Sequence, residues 1–128
     1  MPVSIGEPLL ADHDPRRVRV LALGLALPEA EANGERHLVL KVRGRSFAWL
    51  LDNHHDDGRI ALAAKVLSGE NHALAEADPE HYFVPPYLGA NGWVALRLDR
   101  GAVDWDVVDD LLHTSYRLVA PRRLARLV

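Results

Sequence analysis

The side chains in this chain best suited to chemistry are its cations. If the segments 36–43, 59–66 and 93–98 are strands, alternate residues share a face. On the outward parity the charged residues are then Lys41, Arg43, Arg59, Lys65 and Arg97, all basic, with Trp93 on the parity of Arg97. An open face of that kind would offer phosphates a cationic, partly aromatic surface. The same pattern also suits the solvated side of an ordinary sheet, where Lys and Arg are common. A second basic group lies in the tail. Residues 111–128 contain four arginines (Arg117, Arg122, Arg123, Arg126) and no acid, whereas 99–110 contain five aspartates and one arginine. Acids at a helix N-terminus and cations at its C-terminus complement the helix dipole, at about 0.3–1 kcal/mol each. A phosphate-binding tail is the other reading, and the two are compatible.

The remaining candidates are weaker. Tyr82, Phe83, Tyr87 and Trp93 gather around the stiff Pro85-Pro86 pair. Core packing beneath that pair is the plainer reading, and a base-stacking or small-molecule pocket the sharper one, with Trp93 the exception that would face outward. His54-His55-Asp56-Asp57 has metal-ligand residue types. Neighbours on a strand point to opposite faces, however, and no HExxH spacing is present, so the segment reads as an acidic hairpin tip and no metal site is expected. His81 and His113 are isolated. Ser115 and His113 lie two apart on a predicted helix and do not face each other. With no nucleophile elbow, P-loop or GxGxxG, neither an enzyme nor a cofactor is expected.

Composition sets the frame. The chain has 128 residues, 48% apolar and 26% charged, the balance of one globular domain spanning 1–128. The absence of cysteine excludes a disulfide framework and thiol chemistry and fits a reducing cytosol. The start shows no basic segment followed by an apolar one, and a run such as Phe47-Ala48-Trp49-Leu50-Leu51 is too short to span a bilayer. A cytoplasmic protein without a membrane partner is expected, and the wealth of Ala, Leu, Arg and Val suggests a bacterial source. The net charge of −3 counts against a dedicated duplex binder, so any nucleic-acid reading rests on local charge.

The elements that must position these residues follow from pattern and punctuation. Asp14 and Pro15 suit the cap and first position of a helix over 15–25, with Val18, Leu21, Ala22 and Leu25 in one stripe. Strands are predicted over 36–43, turned by Gly44, then over 46–51 and, after a loop ending in Asp57-Gly58, over 59–66. A short helix over 69–77 capped by Ser68, an extended stretch at 82–84, a turn at Asn91-Gly92 and a strand over 93–98 come next. A helix over 104–118 carries Val108, Leu111, Leu112, Ser115 and Val119 on one side, and a further turn or two follows Pro121. The sum is an α+β domain: an antiparallel sheet, N- and C-terminal helices and a short middle helix.

Taken together, Val42-Arg43-Gly44-Arg45-Ser46-Phe47-Ala48-Trp49, Ala77-Asp78-Pro79-Glu80, Pro85-Pro86-Tyr87, Gly92-Trp93-Val94 and Ala120-Pro121-Arg122-Arg123-Leu124 resemble the MmcQ/YjbR family of small bacterial proteins. The resemblance implies an α+β fold similar to type III secretion chaperones and a DNA-binding role through a double-wing arrangement of hairpins. Residues 33–39 and the longer, more acidic 52–58 hairpin depart from the family pattern. The expected role is a non-enzymatic module that meets the DNA backbone through Lys41, Arg43, Arg45, Lys65 and Arg97, with Trp93 beside them and Arg122 and Arg123 in support. The alternative is an adaptor that uses the Pro-Pro-Tyr and Trp93 region to bind a peptide or small molecule. The sequence leaves the oligomeric state open.

Overall fold

Asp14 caps the first helix, as its residue type requires. In the computed structural model, which describes residues 6–34, 37–86 and 88–128, its carboxylate accepts from the Arg16 N–H at 2.9 Å, and Pro15 opens α1 (Pro15–Leu25). Six strands follow: β1 (Ala30–Asn33), β2 (Val39–Val42), β3 (Arg45–Asp52), β4 (Ile60–Lys65), β5 (Tyr82–Phe83) and β6 (Trp93–Arg97). They form one antiparallel sheet in the order β1-β2-β3-β4-β6-β5. Helix α2 (Glu70–Ala77) lies between β4 and β5, a 3₁₀ turn (Gly89–Asn91) precedes β6, and α3 (Trp105–Val119) and α4 (Arg122–Ala125) end the chain. Among the described residues no helix is long and apolar enough to cross a membrane.

The predicted architecture holds, with local corrections. β2 ends at Val42, because Arg43 (φ 50°) and Gly44 (φ 77°) both take left-handed backbone and make the two-residue turn into β3. Arg43 is therefore a turn residue and has no strand parity. Gly69 (φ 83°), not Ser68, occupies the cap position of α2, with no side-chain capping bond. Asn91-Gly92 closes a 3₁₀ turn, with Gly92 at φ 83°. β1 was not expected at all: Ala-Glu-Ala-Asn carries no β-branched signal, and pairing with β2 makes it a strand.

The sheet buries one face under the helices. Leu40, Val42, Phe47, Leu50, Leu62, Val94 and Leu96 pack there with Val20 of α1 and Val108, Leu112 and Tyr116 of α3. A β-bulge shapes this core. Leu40 pairs with Ala48 and Lys41 with Ser46, so Phe47 has no partner on β2 and turns its ring inward, edge-on to Tyr116 at 5.5 Å. Beside the bulge the regular β3–β4 pairing stops, and α3 supplies the next link. The buried Ser115 hydroxyl donates to the Phe47 carbonyl at 2.6 Å and accepts from the Lys65 N–H at 2.9 Å. One hydroxyl thus joins β3 to β4 beyond their last regular pair, Ala48 with Ala64.

Ser115→Ala would strip both groups of that partner inside the core. It should cost about 1–3 kcal/mol in urea denaturation. A loss near zero would show that the hydroxyl bridge is not what holds α3 to the sheet.

Candidate nucleic-acid interface

Three of the eight residues expected to meet a nucleic acid, Arg43, Arg45 and Arg123, come together at one end of the sheet, and a fourth, Arg122, adjoins them in the chain. Arg43 and Arg45 sit at the β2–β3 turn, Arg123 of α4 reaches the same Glu29 as Arg43, and Arg122 follows Pro121 at the α3–α4 junction. A notch between turn and junction is lined by Arg43, Arg45, Val119, Ala120 and Pro121. Glu29 sits among these cations. Its carboxylate takes a bidentate pair from Arg43 at 2.8 and 3.1 Å and lies 3.7 Å from Arg123. The Arg43 hydrogen bonds, with Arg123 adding its charge, hold Glu29 below the usual carboxylate range. Arg45 and Arg122 are exposed and have no ion pair among the described residues.

This cluster rests on buried anchors. The Tyr116 hydroxyl donates to the Pro28 carbonyl at 2.6 Å, which places Glu29 directly under the turn. Burial, reinforced by Glu29, pushes the Tyr116 phenol up, so it remains a neutral donor. Both partners of the surface pair are strained: Glu29 has φ 56° and Arg43 φ 50°, where L-residues lose roughly 1–2 kcal/mol to steric crowding. Strain of this kind persists where the surrounding structure fixes it, often at sites of function.

The other four residues do not join this group. Lys41 and Lys65 lie on the sheet face away from the helices, near the same end. Arg97 pairs with Ala61 and Trp93 with Lys65, which separates Arg97 from Lys65 by four residues of strand, about 13 Å. Arg97 is also spent on a bidentate pair with Asp99 at 2.9 and 3.0 Å. Burial opposes ionisation of Asp99, yet the Arg97 bonds and the Ile60 N–H keep its carboxyl low. Trp93 is 7% exposed and packs with Leu51, Ala61, Ala63 and Ala95. It faces outward by parity, as expected, but a covering segment that includes Pro85 and Leu88 removes it from solvent. The expected continuous cationic face is therefore a face with an apolar centre and cations around it. Tyr87 lies outside the described residues.

The 53–59 connection is better held than an acidic tip would be. The buried Asp52 carboxylate accepts from the Leu9 and Leu10 N–H groups at 2.8 and 2.9 Å, and the Asn53 amide donates to the Glu7 carbonyl at 2.9 Å. Gly6 packs so closely on Asn53 that a Cβ would collide with its carbonyl. Three imidazoles crowd here, His54 lying 4.8 Å from His37 and 4.6 Å from His55 between ring centroids. No group of three or more His, Asp or Glu side chains among the described residues has the geometry to hold a metal ion. Burial pushes His54 below its ordinary value, the His37 and His55 charges add to this, and Asp57 opposes them.

Sequence reasoning missed Glu29, Tyr116 and Asp52, because their roles depend on contacts 14, 88 and 43 residues away. Comparison with known proteins adds the following. Residues 25–118 match the family model described as YjbR. A crystal structure of a Deinococcus radiodurans protein with the DUF419 domain superposes with a TM-score of 0.63 at 25% identity, covering 80% of this chain and 75% of that one. No curated protein matches.

Two outcomes follow from the strain and the imidazoles. Arg43→Gly, which suits left-handed backbone, should raise the thermal midpoint even though an exposed ion pair is lost. A lower midpoint would show that the Glu29 pair outweighs the strain. His54 binds its proton less readily folded than unfolded, so its stabilising contribution is present above the unfolded value near 6.5 and is lost as pH falls below it. An NMR titration should place the His54 midpoint below those of exposed histidines, and denaturation midpoints should decline from neutral to mildly acidic pH less steeply in His54→Phe. A His54 midpoint at or above 6.5 would contradict the burial argument.

Proposed function

This chain belongs to the YjbR family, and we propose that it is a non-catalytic DNA-binding protein whose arginine-rich end grips the phosphate backbone. The observation that carries this reading is the convergence of Arg43 and Arg45 on a notch against the α3–α4 junction, with Arg123 drawn to the same Glu29 as Arg43 and Arg122 next in the chain to Pro121 of the notch. A hairpin tip that keeps arginine where glycine would relax the backbone is consistent with a role for the guanidinium.

The acidic total is compatible with this because the charges are segregated. Asp104, which caps α3, and Asp106, Asp109 and Asp110 lie in the first part of that helix. Arg117 lies in its last turn, and α4 carries Arg122 and Arg123. A molecule so polarised approaches a polyanion with one end forward. Lys41 and Lys65 extend the footprint along the sheet. Arg97 and Trp93 are not part of it, the first neutralised and the second buried. Backbone contacts of this kind position a protein on a duplex without reading bases, so sequence selectivity is weak.

The test is fluorescence anisotropy of a labelled duplex at two salt concentrations. Four to six phosphate contacts give a log–log salt slope of roughly −4 to −5. Arg45→Ala with Arg122→Ala, which removes no side-chain bond among the described residues, should flatten that slope by about 2 and weaken binding strongly, while Arg100→Ala on the acidic side changes little. No binding at low salt, or an unchanged slope in the double variant, rejects the reading.

A further inference from the structure

The one acid at the arginine-rich end is held in place by the backbone around it. Glu29 stands in the turn between α1 and β1, where the Ala30 N–H donates to the Leu27 carbonyl at 3.1 Å and the Tyr116 hydroxyl to the Pro28 carbonyl at 2.6 Å. Its carboxylate therefore meets the cations from a fixed point. Arg43 donates from Nε to Oε1 at 2.8 Å and from Nη2 to Oε2 at 3.1 Å, and Arg123 Nη2 lies 3.7 Å from Oε2. The guanidinium fork matches carboxylate and phosphate alike, so these are contacts that a phosphate group could make in its place. Glu29 thus occupies an anion site built by the β2–β3 turn and α4.

The occupant is replaceable. The side chains of Arg43, Glu29 and Arg123 are 48%, 46% and 74% exposed, so a ligand reaches the pair from outside. An exposed ion pair of this kind typically holds by roughly fivefold or less, and both partners return to water when it opens. A single phosphate in solution nevertheless competes poorly. The tethered carboxylate is present at an effective concentration of millimolar order or above. A DNA backbone differs because it meets Arg45, which lines the adjoining notch, in the same event.

We propose that Glu29 is a resident counter-anion that the DNA backbone displaces. One phosphate takes its place on Arg43 and Arg123, and the site passes over single phosphates in favour of a polyanion. The proposal rests on the DNA-binding reading and names the contact that is exchanged within it.

Salt dependence carries the signature. A freed carboxylate beside the duplex keeps a cation near it and offsets the release that Arg43 causes. Glu29→Gln should therefore tighten duplex binding on the order of fivefold to tenfold and steepen the log–log salt slope by about 1. Asp110→Asn, which makes the same change in net charge on the acidic part of α3, should leave the slope unchanged. In the unaltered chain at neutral pH, adding duplex should move the Glu29 carboxyl carbon signal towards that of an unpaired, exposed glutamate, and the Arg43 Nε–H signal should shift in step. Inorganic phosphate at millimolar concentration should leave both signals in place, yet shift Arg43 in Glu29→Gln. A Glu29 carboxyl signal unmoved at duplex saturation, a Glu29→Gln slope equal to that of the unaltered chain, or an equal response of both proteins to phosphate overturns the proposal and leaves the DNA-binding reading standing. No duplex binding by either protein removes that reading and the proposal with it.

Discussion

One buried hydroxyl sets the geometry from which the rest follows. The β2–β3 bulge turns Phe47 into the core, and where the neighbouring β3–β4 pairing stops at Ala48 and Ala64, Ser115 continues the link by bonding the Phe47 carbonyl and the Lys65 N–H. Because one side chain satisfies groups on two strands, α3 can neither slide nor roll without orphaning both. The next residue, Tyr116, then reaches the Pro28 carbonyl and lies edge-on to Phe47. These neighbours fix where α3 ends, and therefore where Arg122 and Arg123 stand relative to the turn that bears Arg43 and Arg45.

Stability and surface chemistry oppose each other at that end. Arg43 and Glu29 both hold left-handed backbone, and their exposed ion pair is weak compensation. Glycine at either position would relieve the chain. The rigid platform of bulge, serine and tyrosine allows the turn to keep a charged residue in a conformation it disfavours. The opposite end spends its cations differently: Arg97 is neutralised by Asp99, and Arg59 stacks on Phe83. A molecule of net charge −3 thus has one end where four arginines outnumber their one acid, Glu29, and another where Arg97 is balanced by Asp99.

Much of the fold was legible because local rules were strong. Asp14-Pro15 and Asp104 announced their helices, Gly44 its turn, and alternation gave β4 and β6 within a residue or two. Parity correctly put Lys41, Lys65, Trp93 and Arg97 on one face. It did not reveal what else lay there. Alternation says which way Trp93 points but not that residues near Pro85 cover it, and a row of outward cations says nothing of Asp99 two residues beyond Arg97. Arg43 was misplaced because a strand pattern continues through a residue whose backbone has already turned. Glu29 and β1 carried no local signal, since pairing with β2 and the reach of Arg43 give them their roles.

The central claim is that the convergence of hairpin and C-terminal arginines, and not the apolar sheet face, meets DNA. Mapping amide chemical shifts while a short duplex is added tests this most directly. Shifts should cluster at Arg43, Gly44, Arg45 and the α4 residues, while Trp49, His54 and Leu88 stay unmoved. Shifts centred on the apolar face, or none at any duplex concentration, would contradict it.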